Sequence, residues 1–144
     1  MASFLAAQAA MADGYQWHAV TFQKNRIEYG EPDGSDDRAL MIVCHARKGV
    51  ELIGSIPGND YDFVEGGKIE VTVHAGALSE RITGIVVELG NGLNFDITLP
   101  VDSPFLVHLG SGQPIGFSRA DGGFEVPGRG GEGMIKGGVS ACRK

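Results

Sequence analysis

Two cysteines, four histidines and eighteen scattered carboxylates are the side chains of this 144-residue chain best placed to do chemistry. A redox-active thiol pair needs its cysteines close together, as in C-x-x-C, or an electropositive setting that stabilises the thiolate. Neither holds here: Cys44 sits in an apolar run, and Cys142 lies almost a hundred residues away near the C-terminus. Two cysteines so far apart fit a disulfide formed in an oxidising compartment, although two buried thiols would leave the same trace. The expectation is a Cys44–Cys142 disulfide tying the tail to the central strand.

None of His18, His45, His74 and His108 stands at metal-ligand spacing, and no second cysteine adjoins any of them. Strand parity turns His45 away from Cys44, while His74 and His108 read as solvated surface residues. The acidic loop from Glu31 to Asp37 has carboxylates enough for Ca²⁺ but not the ligand pattern of an EF-hand, so it reads as a solvated turn. Gly110-Ser111-Gly112 lacks the strand–turn–helix context of a nucleophile elbow. Gly128 to Gly133 lacks the Lys-Ser/Thr ending of a phosphate loop and reads as a turn opening a helix. The residues therefore imply no catalytic group, metal or cofactor, and a non-enzymatic protein is expected. Among the aromatic side chains, Trp17, Tyr29 and Tyr61 are the interface candidates, since Trp and Tyr anchor interfaces. A lone tryptophan on a first strand also suits the core.

The elements that must position these residues centre on Arg38 to Pro57, two strands joined by a tight turn at Arg47-Lys48-Gly49. Leu40, Ile42 and Cys44 share one face, Met41, Val43 and His45 the other, which suits a strand covered on both sides. Before it, Trp17–Phe22 and Arg26–Tyr29 read as short strands. After it, Pro57-Gly58-Asn59-Asp60 and Glu65-Gly66-Gly67 mark turns. Lys68 to His74 alternates cleanly, with Ile69, Val71 and Val73 inward. Arg81 to Leu89 is a further strand whose apolar parity changes at Gly84, which predicts a β-bulge there and places Ile85, Val87 and Leu89 inward. Asn91-Gly92 signals a type I′ hairpin returning through Leu93, Phe95, Ile97 and Leu99. Ser103-Pro104 reads as an N-cap followed by a proline that starts a short helix at about 103–109, capped by Gly110. A last hairpin turns at Asp121-Gly122. Ile135, Val139 and Cys142 recur at helical spacing, predicting a C-terminal helix at about 132–142. The fold class is thus mainly β, an antiparallel sandwich or small barrel with two short helices, and the 23 glycines suit its many turns.

One β-rich domain is expected over 13–144. Residues 1–12, ending Ala10-Met11-Ala12, resemble the tail of a signal peptide, or else form a disordered segment or an Ala-rich helix. A net charge of −6 with dispersed basic residues argues against a nucleic-acid partner. No apolar run approaches the roughly 20 residues that span a bilayer.

The order of landmarks resembles small exported β-proteins of Gram-negative bacteria. The features that carry the likeness are the Trp17 strand, Tyr29-Gly30-x-Pro32, a strand ending in Cys44, Ser103-Pro104-Phe105-Leu106 and a short helix closing with Cys142. A more distant likeness is to periplasmic proteins associated with type VI secretion, which pair a helix cysteine with a strand. The terminal helix here is richer in glycine, and the resemblance carries over no catalytic residue. It implies a periplasmic or secreted location. The function expected is a non-enzymatic domain binding a protein or cell-envelope component, in one version an inhibitor that inserts the 30–37 or 57–67 loop into the cleft of a lysozyme or protease. The alternatives are a small-ligand carrier with a cavity between sheets and, further off, a hydrolase.

Overall fold

The computed structural model describes residues 14–20, 25–32, 37–90 and 92–143. The signal-peptide-like stretch, the end of the first strand beyond Val20, most of the acidic loop (33–36) and Asn91 lie outside the described residues.

Nine strands carry the fold: β1 (Gln16–Ala19), β2 (Arg26–Gly30), β3 (Arg38–His45), β4 (Gly49–Ser55), β5 (Lys68–Ala75), β6 (Leu78–Leu89), β7 (Gly92–Leu99), β8 (Ile115–Arg119) and β9 (Gly122–Val126). Helix α1 (Pro104–Gly110) follows β7, and α2 (Glu132–Cys142) closes the chain. All strands pair antiparallel in one sheet of order β1-β2-β3-β4-β7-β6-β5-β8-β9. The sheet curls into a half-barrel, and both helices pack together on it, α1 against β5 and β8 and α2 against β2, β3 and β4. Mainly β with two helices is the class the sequence implies; of the sandwich and barrel forms, the single curled sheet stands nearer the barrel. Among the described residues no helix is long and apolar enough to cross a membrane.

The curl follows from how β6 is shared. Its first part pairs with β5 and its last part with β7, so one twelve-residue strand must bend across two partners. Gly84 sits where they diverge. A Cβ there would overlap the carbonyl oxygen of Asp96 and touch the Ile97 side chain. Glycine thus serves a close backbone approach, and the expected bulge is absent: β5–β6 pairing runs through Gly84 in continuous register. The inward face of β6 is accordingly Ile82, Gly84 and Val86, and Ile85 and Val87 lie on the convex side. The register irregularity in the sheet falls instead between Tyr29 and Gly30.

The core lies between the concave face and the helices. Val71, Val73, Phe95 and Ile97 from the sheet meet Leu106 and Leu109 of α1 and Ile135 of α2, all essentially inaccessible to solvent. Phe95, Phe117 and Phe124 pack ring on ring, with 5.1 Å between the first two centroids and 5.3 Å between the last two, a geometry that adds to their area burial. Ser103 caps α1, its Oγ accepting from Phe105 N at 3.3 Å. Gly110 ends that helix as its last residue, and the cap position falls to Ser111. Helix α2 has weak intrinsic propensity because of Gly133, Gly137 and Gly138. Its buried residues are Ile135, Val139 and Cys142, as their spacing implies. Cys142 forms a disulfide with Cys44, the two Cα atoms 5.5 Å apart. The β3–β4 turn adds a hydrogen bond from Arg47 N to Cys142 O at 2.8 Å.

Candidate functional site

The loop 56–67, between β4 and β5, is held by its own turn chemistry and by two neighbouring elements. Ile56 and Pro57 are buried. Gly58 has φ +80° and lies against Asp121 and Gly122, where a side chain would clash. Asn59 makes an Asx turn, its Oδ1 accepting from Tyr61 N at 2.7 Å. From the β8–β9 hairpin, Asp121 Oδ2 accepts from Asn59 N at 3.1 Å. Arg119 Nη1 donates to the carbonyls of Pro57 (2.7 Å) and Asn59 (3.0 Å). The same guanidinium pairs with Asp121 at 3.4 Å and lies 4.5 Å from the Phe63 ring centroid, a cation–π contact. The far limb is tied to β6: Gly66 N donates to Val86 O and Val86 N to Gly67 O, both at 2.8 Å. Glu65 Oε2 accepts from Glu88 N at 3.1 Å.

At the apex of this braced loop stand Tyr61, 88% exposed, and Val64, 70% exposed. They are the most exposed of the large apolar side chains among the described residues. Asp60, Asp62 and Glu65 are exposed beside them, so the apex presents an aromatic and an aliphatic group within a negative field. The sequence brings Tyr61 forward by residue type. Val64 and Phe63 enter there only as members of the 57–67 loop, and Arg119 and Asp121 are not legible as parts of the site, because their contacts with that loop cross about 60 residues.

The other interface candidates are placed differently. Trp17 is 8% exposed, and its Nε1 donates to Pro127 O at 2.8 Å. Its ring seats against Gly131, where any Cβ would collide with it. Tyr29 is 5% exposed and packs on Trp17 at 5.3 Å between centroids. Both are structural members of the core edge, where they join strand β1 to the segment after β9. Tyr15 packs edge-on against Tyr29 and donates its hydroxyl to the Asp37 carboxylate. Burial, reinforced by that carboxylate, pushes the Tyr15 phenol well above its ordinary value.

The convex face carries a carboxyl pair that strand parity alone does not reveal. Glu51 on β4 and Asp96 on β7 meet diagonally across the register and share a hydrogen bond. Burial, then Glu51, raises the Asp96 carboxyl to about 7. Glu51 is held below its ordinary value by that hydrogen bond and by His45, whose Nε2 lies 2.8 Å from its Oε1. The pair lines an open depression of about 400 Å³ with Thr83, Gly84, Ile85 and Thr98. Two carboxyls with separated affinities can divide acid and base roles, and this depression leaves both of them open to solvent. Further along the convex face, buried Glu28 pairs with Arg26 at 2.5 Å and approaches Arg38 at 3.9 Å and His18 at 3.8 Å. His74 reaches Ser118 Oγ at 2.6 Å. Among the described residues no three His, Cys, Asp or Glu side chains converge as metal ligands would.

Compared with protein-family models, curated proteins and solved structures, the chain matches none.

Proposed function

We propose that this protein is a non-enzymatic binding domain, periplasmic or secreted, that docks onto a protein partner through Tyr61 and Val64 of the β4–β5 loop. The observation that carries this reading is the pairing of extreme exposure with firm support. Two large apolar side chains stand in solvent on a loop braced by Arg119, Asp121 and β6. Exposing such groups forfeits their burial, and holding them in one geometry removes the ordering cost that a mobile loop would incur on binding. Tyrosine is also among the residues in which interface hot spots are enriched. The flanking Asp60, Asp62 and Glu65 favour a partner whose pocket is apolar at its centre and basic at its rim. An inhibitor that inserts this loop into a hydrolase cleft is the narrowest form of the proposal.

Export is part of the same proposal. It draws on the Cys44–Cys142 disulfide, which persists in oxidising compartments, and on the resemblance to small exported β-proteins of Gram-negative bacteria.

The test is photo-cross-linking with p-benzoylphenylalanine placed at Tyr61 and, as a control on a distant surface, at Val107 of α1, which is 57% exposed. The two variants are irradiated in a Gram-negative envelope extract, with unlabelled wild type or Tyr61→Ala as competitor. The proposal expects an adduct specific to position 61 that wild type suppresses and Tyr61→Ala does not. Equal adducts from both positions, or equal suppression by both competitors, would refute it.

A further inference from the structure

A second site lies at the other end of the sheet. Between α2 and strands β2 to β4 there is a cleft of about 190 Å³ lined by Ile27, Ile42, Val50, Ile135, Val139 and Gly138, with the Cys44 end of the disulfide in its wall. Asn25 and Ala141 complete its rim. They and Gly138 are the exposed residues of its lining and mark where it opens to solvent.

Three observations define what the cleft can hold. First, its polar neighbours are already engaged. Asn25 Nδ2 donates to Cys44 O at 3.1 Å, and Arg26 is bound through Nε and Nη2 to Glu28. The cleft therefore offers little to a charged or strongly hydrogen-bonding molecule, or to water, which needs two or more polar partners to stay. Second, the walls cannot easily close on the space. Helix α2 is fixed at its far end by the disulfide and by Arg143 Nε donating to Val101 O at 3.1 Å, and at its near end by Gly131 seated on Trp17. Third, the space is open where a side chain would normally stand: a Cβ at Gly138 would meet no atom within 4 Å. An enclosed apolar void of about 150 Å³ takes up a benzene-sized molecule, and this cleft, though open at its rim, offers apolar walls and a volume of the same order.

We infer that this cleft is a binding site for a small, neutral, apolar molecule about the size of a substituted benzene or a short alkyl chain. The carrier reading of the sequence looked for such space between the inward residues of β5, β6 and β7. Ile69, Val71, Val73, Val86, Phe95, Ile97 and Leu99 instead belong to the buried core cluster, and the space lies beneath the glycine-bearing helix.

The experiment titrates benzene, and separately hexan-1-ol, into the intact oxidised protein while the methyl signals of Ile27, Ile42, Val50, Ile135 and Val139 are followed by NMR. The expected result is a saturable shift at these methyls, with those of Ile69 and Val73 unmoved. Gly138→Leu, which fills the opening, should weaken binding at least roughly tenfold, the loss expected when one ligand-sized patch of apolar burial is pre-empted. Ala141→Leu narrows the same rim from another position and should act likewise, which guards against a folding defect in either variant. Tyr61→Ala should leave the titration unchanged and so keeps this site separate from the docking loop. No saturable shift with either probe, or equal shifts in both filled variants, would overturn the inference. Saturation by benzene alone or by hexan-1-ol alone would support it and fix the ligand as ring or chain.

Discussion

The replacement Asp96→Asn makes the convex-face carboxyl pair measurable. In the folded protein Asp96 holds its proton up to about pH 7, against an ordinary 3.8, because it is partly buried and hydrogen-bonded to Glu51. A carboxyl whose affinity for protons is higher folded than unfolded stabilises the fold fully below its unfolded value and loses that contribution as the pH rises through its folded value. The gap between 3.8 and about 7 corresponds at face value to about 4 kcal/mol. Asp96 is only half-buried and its proton is shared with Glu51, so solvent screening and coupling reduce this to about 2 kcal/mol. Asparagine keeps a hydrogen-bond donor facing Glu51 and cannot titrate. Relative to wild type, Asp96→Asn should therefore gain stability by about 2 kcal/mol between about pH 3 and pH 8, most of it before pH 7, and then level off. Paired urea denaturation curves at half-unit pH steps measure this, and a parallel thermal series should show a relative rise of about 6 °C in Tm. A difference that stays constant from pH 4.5 to pH 8 would refute the reasoning, because it would mean that Asp96 titrates alike folded and unfolded.

Further outcomes follow from the fold and the loop. Arg119→Ala removes two charge-assisted hydrogen bonds, an ion pair and the contact with Phe63, and should cost about 2 kcal/mol; hydrogen exchange should accelerate at Asn59 to Phe63 and leave β3 and β4 unaffected. The double variant Cys44→Ala/Cys142→Ala releases the constraint on a chain segment of 98 residues and should lose about 3–5 kcal/mol in guanidinium denaturation, with α2 amides losing protection before those of the sheet. Gly84→Ala forces a methyl onto the Asp96 carbonyl and should cost roughly 2–4 kcal/mol, whereas Gly137→Ala, which meets open space, should stabilise by about 1 kcal/mol. Similar denaturation midpoints for the last two would contradict the close approach of β6 and β7.

Residues whose neighbours are local in sequence announced their place. The alternation of Ile69, Val71 and Val73 gave one face of β5, and the spacing of Ile135, Val139 and Cys142 gave the buried face of α2. Ser103-Pro104 marked the start of α1. The pairing of Cys44 with Cys142 was legible because the chain has only those two cysteines. Long-range packing hid the rest. In β6 the hydrophobic residues Ile85, Val87 and Leu89 recur at every second position, whereas the inward Leu78, Ile82 and Val86 are interrupted by Glu80 and Gly84, so parity points to the wrong face. The actual inward position, Gly84, has no side chain to betray it. Strand β7 inserts between β4 and β6, a nonlocal pairing that brings Asp96 to Glu51 and that no local pattern encodes. Tyr61 can be singled out as an aromatic in a loop, but Trp17 and Tyr29 read as equivalent to it; burial separates them, and Trp17, on which Tyr29 packs, is held by Pro127 and Gly131, more than a hundred residues away from it. The brace of the loop was equally silent, since Arg119 reaches Pro57 and Asn59 only because β8 folds back beside β5.

The central claim is that the β4–β5 loop binds as a preformed unit through Tyr61. The most direct measurement is the affinity of the partner captured at position 61 for wild type, Tyr61→Ala and Arg119→Ala, by titration calorimetry. Loss of a hot-spot anchor worth about 2 kcal/mol predicts roughly thirtyfold weaker binding for Tyr61→Ala. Releasing the brace while leaving the contact residues in place predicts a smaller loss for Arg119→Ala, about five- to tenfold, carried by a less favourable entropy. An affinity for Tyr61→Ala within about twofold of wild type, where neutral surface substitutions fall, would contradict the account.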